Sequence, residues 1–318
     1  MTAEALPVTV QRRRAGTGDS PLRVLLMHGL AGGARTWDAY LEQAGPHGHE
    51  LWTAELPWRA DGTAEWTRRS PASWTAEALR MVPGGPDVVV AHSFAANALL
   101  ALLDGQGTPA GERDAPAGEY GTPAGGYDAP AGGPGADDED AFARHGLRGV
   151  VLVSPFYRAD PGEFGWDTIA YYLNQFDTIL AEGLRVRSGG RLPRDIQHEM
   201  ALKVRGRIGP HGWMNFFSTY LATPYLRTHR MLGPCLVVGG ERDFAAHPTD
   251  SEALSKALPD ADLHLLPDCG HFAMVEQPAR FTALTDGFLA HAAARPHSGA
   301  RTRTRSTERT EKRGVTAR

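Results

Sequence analysis

The chain alternates between two kinds of segment, and that alternation restricts its fold more than any other feature. Short runs rich in Val and Leu, RVLLMHG, DVVVAHS, GVVLVSPF, CLVVGGERD and ADLHLLPDCGH, are each bounded by Gly, Pro or Asp. Apolar runs of this kind suit strands buried on both faces. Between several of them lie the amphipathic or Ala-rich stretches TWDAYLEQAG, SPASWTAEALRMV, FAANALLALLDG and DSEALSKALP. Strands separated by helices build an α/β fold, a mostly parallel sheet with helices on both faces. Ligands of such sheets bind beyond the carboxyl ends of the strands, so polar residues there are the candidates for function. With 318 residues, 42% of them hydrophobic, the chain can fill one such domain with insertions.

Two segments stand outside this rhythm. Residues 104–145 are rich in Gly, Pro and Ala and nearly free of large aliphatic side chains, so they cannot offset their own ordering entropy and read as a disordered loop. Within it TPAGERDAPAGEYG is followed directly by TPAGGYDAPAGGPG. A period of about 14 residues is shorter than any solenoid unit, and tandem duplication of a tolerated linker accounts for it. The tail 297–318 is locally basic and reads as a solvated, disordered end.

The formal charge of -4 gives no reason to expect nucleic acid or an anionic membrane as partner. The start, MTAEALPVTVQRRR, lacks the apolar core of a signal peptide, and no apolar run approaches the length that spans a bilayer. A soluble, cytoplasmic protein is the expectation. Two cysteines, Cys235 and Cys269, are too few for a disulfide framework or a cysteine zinc site. They fall toward opposite ends of the sheet, so no disulfide is expected.

The strand ends supply the chemistry. In VVVAHSFAAN a valine run leads into Ser93 and then an Ala-rich helix, with Ala91 and Ala95 two places either side. A serine on a sharp strand-to-helix turn stands exposed above the sheet, and such a turn admits only small residues at those flanking positions. In LLMHGLAGG a strand runs into His28, Gly29 and Leu30. There the backbone can turn an N–H toward a developing oxyanion, which makes the Leu30 and Phe94 amides the two candidate donors. Further on, Asp243 in CLVVGGERDF and His271 in LHLLPDCGHF each lie just past a strand end. A serine hydroxyl needs a base for its proton, and the base needs a carboxylate to hold its tautomer.

Other titratable residues read as structural. His92 projects differently from Ser93 and packs. His28 supports its loop. His47 and His49 have no carboxylate or cysteine at ligand spacing, so no metal is expected there. His247 belongs to a loop entering a helix, Asp268 shapes the turn before His271, and Asp160 is a remote substitute for the acid.

Together these strings resemble the α/β-hydrolases of the broad esterase, thioesterase, haloperoxidase-like and C–C hydrolase group, from about Val8 to Ala294 without the repeat loop. HGLAGGARTWDAYL is similar to the family's oxyanion loop and first helix, and AHSFAAN to its nucleophile elbow. GERDF resembles its acid turn, and DCGHFAMVEQPARF its histidine loop with the following helix. The resemblance implies an α/β-hydrolase core of residues 1–103, 146–154 and 229–296, with a helical cap at 155–228. It implies Ser93 as nucleophile, His271 as base and Asp243 as its partner, in the family's chain order. One departure is the turn ELPWRADG, where Trp58 and Arg59 stand in place of the family's small residues and would narrow the pocket mouth. In the cap, the cluster GWMNFFSTYLATPYL offers Trp213, Phe216 and Phe217 either as pocket lining or as glue between cap and core.

The expected activity is hydrolysis of an ester, thioester or similarly activated acyl bond of a small apolar molecule, with no cofactor. C–C bond hydrolysis or perhydrolysis by the same triad is the enzymatic alternative. A ligand-binding or receptor-like homologue that turns over slowly or not at all is the alternative of another class. The sequence leaves the substrate and the oligomeric state open.

Overall fold

The computed structural model describes residues 8–17, 21–44, 48–61, 64–106 and 140–295. The repeat itself and the basic tail lie outside the described residues. Seven strands form one sheet: β1 (Thr9–Arg14), β2 (Arg23–Met27), β3 (Glu50–Glu55), β4 (Val88–His92), β5 (Gly149–Val153), β6 (Cys235–Gly240) and β7 (Ala261–Leu266). Their order across the sheet is β1-β3-β2-β4-β5-β6-β7. Only β1, at one edge, runs antiparallel to its neighbour; all other pairs are parallel.

The continuous apolar runs arise because the central strands are covered on both faces. Every residue of β4, β5 and β6 is buried. Alternation along β4 sends Val89 and Ala91 into one core and Val88 and Val90 into the other. The first core is closed by α2 (Pro71–Met81), α3 (Phe94–Leu103) and α7 (Pro248–Ala257), the second by α1 (Asp38–Gln43), α8 (Ala273–Glu276) and α9 (Pro278–Ala294). Apart from Asn97, helix α3 is apolar on every side, because no face of it reaches water, and all its residues are buried.

A short helix, α4 (Ala141–His145), precedes β5. Asp140 caps it by accepting from the Phe142 N–H, and the Phe142 ring is buried in the first core. The segment 104–145 read as one disordered loop therefore ends in ordered structure at Asp140. A single buried aromatic in a polar setting was too weak a periodic signal to reveal it.

Between β5 and β6 the chain inserts two long helices, α5 (Trp166–Arg187) and α6 (Arg194–Leu221). Helix α6 is kinked where Gly209 takes φ 65°, ψ 176° just before Pro210, which cannot donate to the helical ladder. Among the described residues no helix is long and apolar enough to cross a membrane. Cys235 and Cys269 are both buried and both free thiols.

Candidate active site

The strand order places the site. From β2 the chain moves outward to β3, then returns past β2 to β4 and proceeds the other way. The crevice between the carboxyl ends of β2 and β4 is thus the point where the winding reverses, the place where open α/β sheets bind ligands. His28-Gly29-Leu30 leaves one side of it and Ser93 the other.

Ser93 joins β4 to α3 with φ 57° and ψ -125°, a conformation that costs an L residue roughly 1–3 kcal/mol. Its N–H donates to Val153 O at 2.7 Å, which pins the turn to β5. The flanking Ala91 and Ala95 are fully buried, so the turn has no room for larger side chains. Gly29 is required by the same crowding. A Cβ there would meet Ser93 Cβ at 2.8 Å and His92 Nδ1 at 3.0 Å.

The structure brings Ser93, His271 and Asp243 together from three separate strand ends. His271 Nε2 lies 2.9 Å from Ser93 Oγ, and His271 Nδ1 lies 2.8 Å from Asp243 Oδ2. A carboxylate can only accept, so Nδ1–H donates to Asp243 and Nε2 is left to accept from the serine hydroxyl. Asp243 is held from behind: its Oδ1 accepts from the N–H groups of Ala245 and Ala246 at 2.9 and 3.0 Å. All three side chains are buried beneath the insertion. Phe94 opens α3, so its N–H has no helical acceptor. Neither it nor the Leu30 N–H is paired among the described residues. Leu30 and Phe94 line the same cleft as Ser93.

The neighbouring histidines hold the frame. His92 Nε2–H donates to the His271 carbonyl at 2.8 Å, and burial, followed by the charge of His271, keeps its pKa well below the ordinary value. His28 Nδ1–H donates to Gly29 O at 2.9 Å while its Nε2 accepts from Leu56 N–H at 3.0 Å. Burial pushes its pKa down to about 4. Asp268 turns the chain at φ 58° and pairs with Arg242 at the surface, away from His271. Asp160 caps a short turn, and His247 stands at the start of α7 against Tyr171. His49 lies in the described residues beside Leu22 N, and His47 lies outside them. No cluster of metal-ligating side chains occurs among the described residues.

A cleft opens above Ser93 and His271. Of the aromatics nominated from sequence, only Phe216 lines it. Trp58 does not: its side chain is fully buried, its Nε1–H donates to His28 O at 3.1 Å, and it packs on Trp74 and Phe94. The unusual bulk in that turn fills the core instead of the pocket mouth. Trp213 and Phe217 stack on one another 5.2 Å apart one layer behind the lining.

Several residues of the site escaped the sequence reading. One wall is a stripe of α5, Tyr172, Phe176, Leu180 and Leu184, at the spacing of a single helical face. Phe156, just beyond β5, faces it, held by Asn97, whose amide donates to and accepts from the Phe156 backbone at 2.6 and 3.1 Å. Glu276 accepts from Gly270 N–H and Phe272 N–H at 3.0 and 2.9 Å and so clamps the loop that carries His271. The helical stripe was the readable signal. The two clamps have none, because side-chain to backbone bonds leave no periodic trace.

The comparisons with known proteins bear on the fold and the family. Among solved structures, the chain is similar to Est816, described as an N-acyl homoserine lactone degrading enzyme, with TM-score 0.56, 16% identity, and 88% of this chain and 96% of that one covered. It is similar to a thermophilic esterase from Thermogutta terrifontis, with TM-score 0.54, 18% identity and coverages of 90% and 93%. It also resembles a meta-cleavage product hydrolase from Pseudomonas fluorescens, with TM-score 0.53, 15% identity and coverages of 90% and 94%. Identities this low establish a shared fold. No curated protein matches the sequence. The sequence pattern of the α/β hydrolase family, however, matches residues 24–284, which span every strand from β2 to β7 and each of the three converging side chains. The chain belongs to the α/β hydrolase family.

Proposed function

We propose that the protein is a serine hydrolase that cleaves an ester, thioester or related acyl bond of a small, largely apolar molecule through an acyl-enzyme on Ser93. The observation that carries this reading is the unbroken chain of two hydrogen bonds, 2.9 Å from Ser93 to His271 and 2.8 Å from His271 to Asp243, at the floor of an apolar cleft. Ser93 Oγ attacks the acyl carbon as its proton passes to His271 Nε2. Asp243 fixes the tautomer and balances the imidazolium. The carbonyl oxygen, now anionic, accepts from the Leu30 and Phe94 N–H groups. Collapse expels the alcohol or thiol, which takes the proton from His271. Water then gives its proton to His271 and attacks the acyl-enzyme, and the carboxylic acid leaves as Ser93 recovers its hydrogen. The helical insertion serves as a cap that shapes the cleft, and the cycle uses no cofactor.

The test is labelling by a fluorophosphonate probe combined with a panel of p-nitrophenyl esters of increasing chain length. Wild-type protein is expected to be labelled at Ser93 and to turn the esters over. Ser93→Ala and His271→Ala should lose several orders of magnitude in kcat with melting temperature preserved, because the roles act as a unit. Asp243→Asn should lose nearly as much through the wrong tautomer. Near-normal turnover by Ser93→Ala would end the reading.

A further inference from the structure

The cleft lining is apolar apart from Thr36, His92, the reacting pair, Tyr172, whose hydroxyl is spent on Ala245 O, and one charged side chain, Arg187. Arg187 is the last residue of α5 and continues the stripe of Tyr172, Phe176, Leu180 and Leu184 that forms one wall. An arginine at a helix C-terminus has an ordinary explanation, since it complements the helix dipole and bonds the last carbonyls. One contact fits that explanation: its Nε–H donates to Gly183 O at 3.0 Å. A second does not. Nη1–H donates at 3.3 Å to Ala31 O, in the loop that carries the Leu30 amide.

Two of five guanidinium N–H groups are thereby used, and no carboxylate pairs with Arg187 among the described residues. Among the described residues other arginines pair with carboxylates, as Arg158 does with Asp250 and Arg227 with Asp104. Burial holds the Arg187 pKa below the usual guanidinium value, yet an arginine stays charged under any ordinary condition. The charge reaches the site. Burial is the main reason that His28 and His92 titrate low, and Arg187 adds to the effect in both. A permanent cation with spare planar donors, set in an apolar wall, is suited to bidentate pairing with a carboxylate.

We infer that Arg187 receives a carboxylate of the substrate, so that the molecule cleaved at Ser93 is an acyl compound bearing a second, free carboxylate. The inference rests on the serine-hydrolase reading for its chemistry and on Arg187 for its specificity. A single guanidinium amid aliphatic and aromatic side chains suits a carboxylate on a short aliphatic chain. A phosphate dianion would call for more donors than this wall supplies.

The experiment compares mono-p-nitrophenyl esters of glutaric, adipic and suberic acid with their neutral methyl p-nitrophenyl diesters. In wild-type protein the free carboxylate should raise kcat/KM at one or more chain lengths by roughly ten- to a hundredfold, the range of one charged hydrogen-bonded pair. Arg187→Gln should abolish that ratio, mainly through KM, and Arg187→Lys should keep part of it. A parallel arm needs no turnover: monomethyl adipate and dimethyl adipate are titrated against Ser93→Ala protein, where the monoacid should bind at least tenfold more tightly and lose that advantage when Arg187→Gln is added. If wild-type protein is neither labelled by fluorophosphonate nor active on any ester, the serine-hydrolase reading fails, and the binding arm still decides the role of Arg187. Neutral compounds that bind and react as well as the acids would overturn the inference. So would an Arg187→Gln protein in which both series fall alike, since that is the behaviour of a residue that only ties α5 to the oxyanion loop.

Discussion

At the scale of single residues, the site separates side chains by what lies behind them. Phe216 has the cleft on one side and rings on the other: Phe94, Phe156 and Tyr172 surround it with centroids 4.9 to 6.2 Å away. Phe217, one residue on, points into the packing between the insertion and the core and is stacked on Trp213. The pair therefore makes a matched comparison. Phe216→Ala enlarges the space for substrate, so the ratio of kcat/KM for bulky over small esters should rise by tens of fold, the effect of about 1–3 kcal/mol in an apolar pocket. Phe217→Ala removes only packing. It should cost about 3–5 kcal/mol of stability while leaving that ratio unchanged. Melting temperatures and the two specificity constants, measured on both variants, check the assignment; a shifted ratio in Phe217→Ala alone would reverse it.

At the scale of elements, the insertion is fastened to the segment that follows Asp243. Tyr172 of α5 donates its hydroxyl hydrogen to Ala245 O at 2.9 Å, and Tyr220 of α6 donates to Asp250 Oδ1 at 2.8 Å. Arg158 completes the knot, with Nε 2.8 Å from Tyr220 Oη and 3.2 Å from Asp250 Oδ1. Asp250 is wholly buried in α7. Burial outweighs the opposing pull of Arg158 and lifts the Asp250 pKa to about 7. Between roughly pH 4, where an unfolded aspartate titrates, and pH 7 the folded protein then binds more protons than the unfolded chain. The contribution of Asp250 is thus fully present at low pH and lost as pH rises, with a slope of at most about 1.4 kcal/mol per unit. His28 and His92, whose folded pKa values are lowered, act in the opposite direction over part of that range. The difference between wild type and Asp250→Asn removes their share. Denaturant unfolding at several pH values should show wild type losing stability relative to Asp250→Asn from pH 4 to 7, with no further change above. A flat difference curve would mean that Arg158 keeps Asp250 ionised throughout.

For the whole molecule, what could be read from sequence was whatever the sheet dictates locally. Strands covered on both faces must be apolar throughout, so β4, β5 and β6 announced themselves, and the loops after β4, β6 and β7 carried Ser93, Asp243 and His271 in short recognisable strings. The lining of the cleft was legible only in part, because it depends on how the insertion lies across the sheet. The period of α5 contains a stripe, but nothing in the string tells that the stripe, and Arg187 at its end, faces the cleft above Ser93. Trp58 was marked by its bulk, yet nothing in the string told that its indole would turn inward to His28 O. The same reasoning bears on residues 107–139. Helix α3 starts just after Ser93 and runs away from it for ten residues, roughly 15 Å, so the chain reaches Gln106 at the far end of the sheet. It returns there too, since Gly149 at the start of β5 pairs with Val88 at the start of β4. The departure point is anchored independently: Asp104 accepts from the N–H and Nε–H of Arg227, both at 3.0 Å. Replacing residues 107–139 by a Gly/Ser linker of about eight residues changes the closure cost by about 1 kcal/mol, because that cost moves only about 0.6 kcal/mol with each doubling of length. The replacement should therefore keep kcat/KM on p-nitrophenyl esters within about twofold and shift the melting temperature by only about 2–4 °C. A replacement that folds with the wild-type circular dichroism spectrum but loses activity would show that this segment reaches around the sheet to act on the cleft.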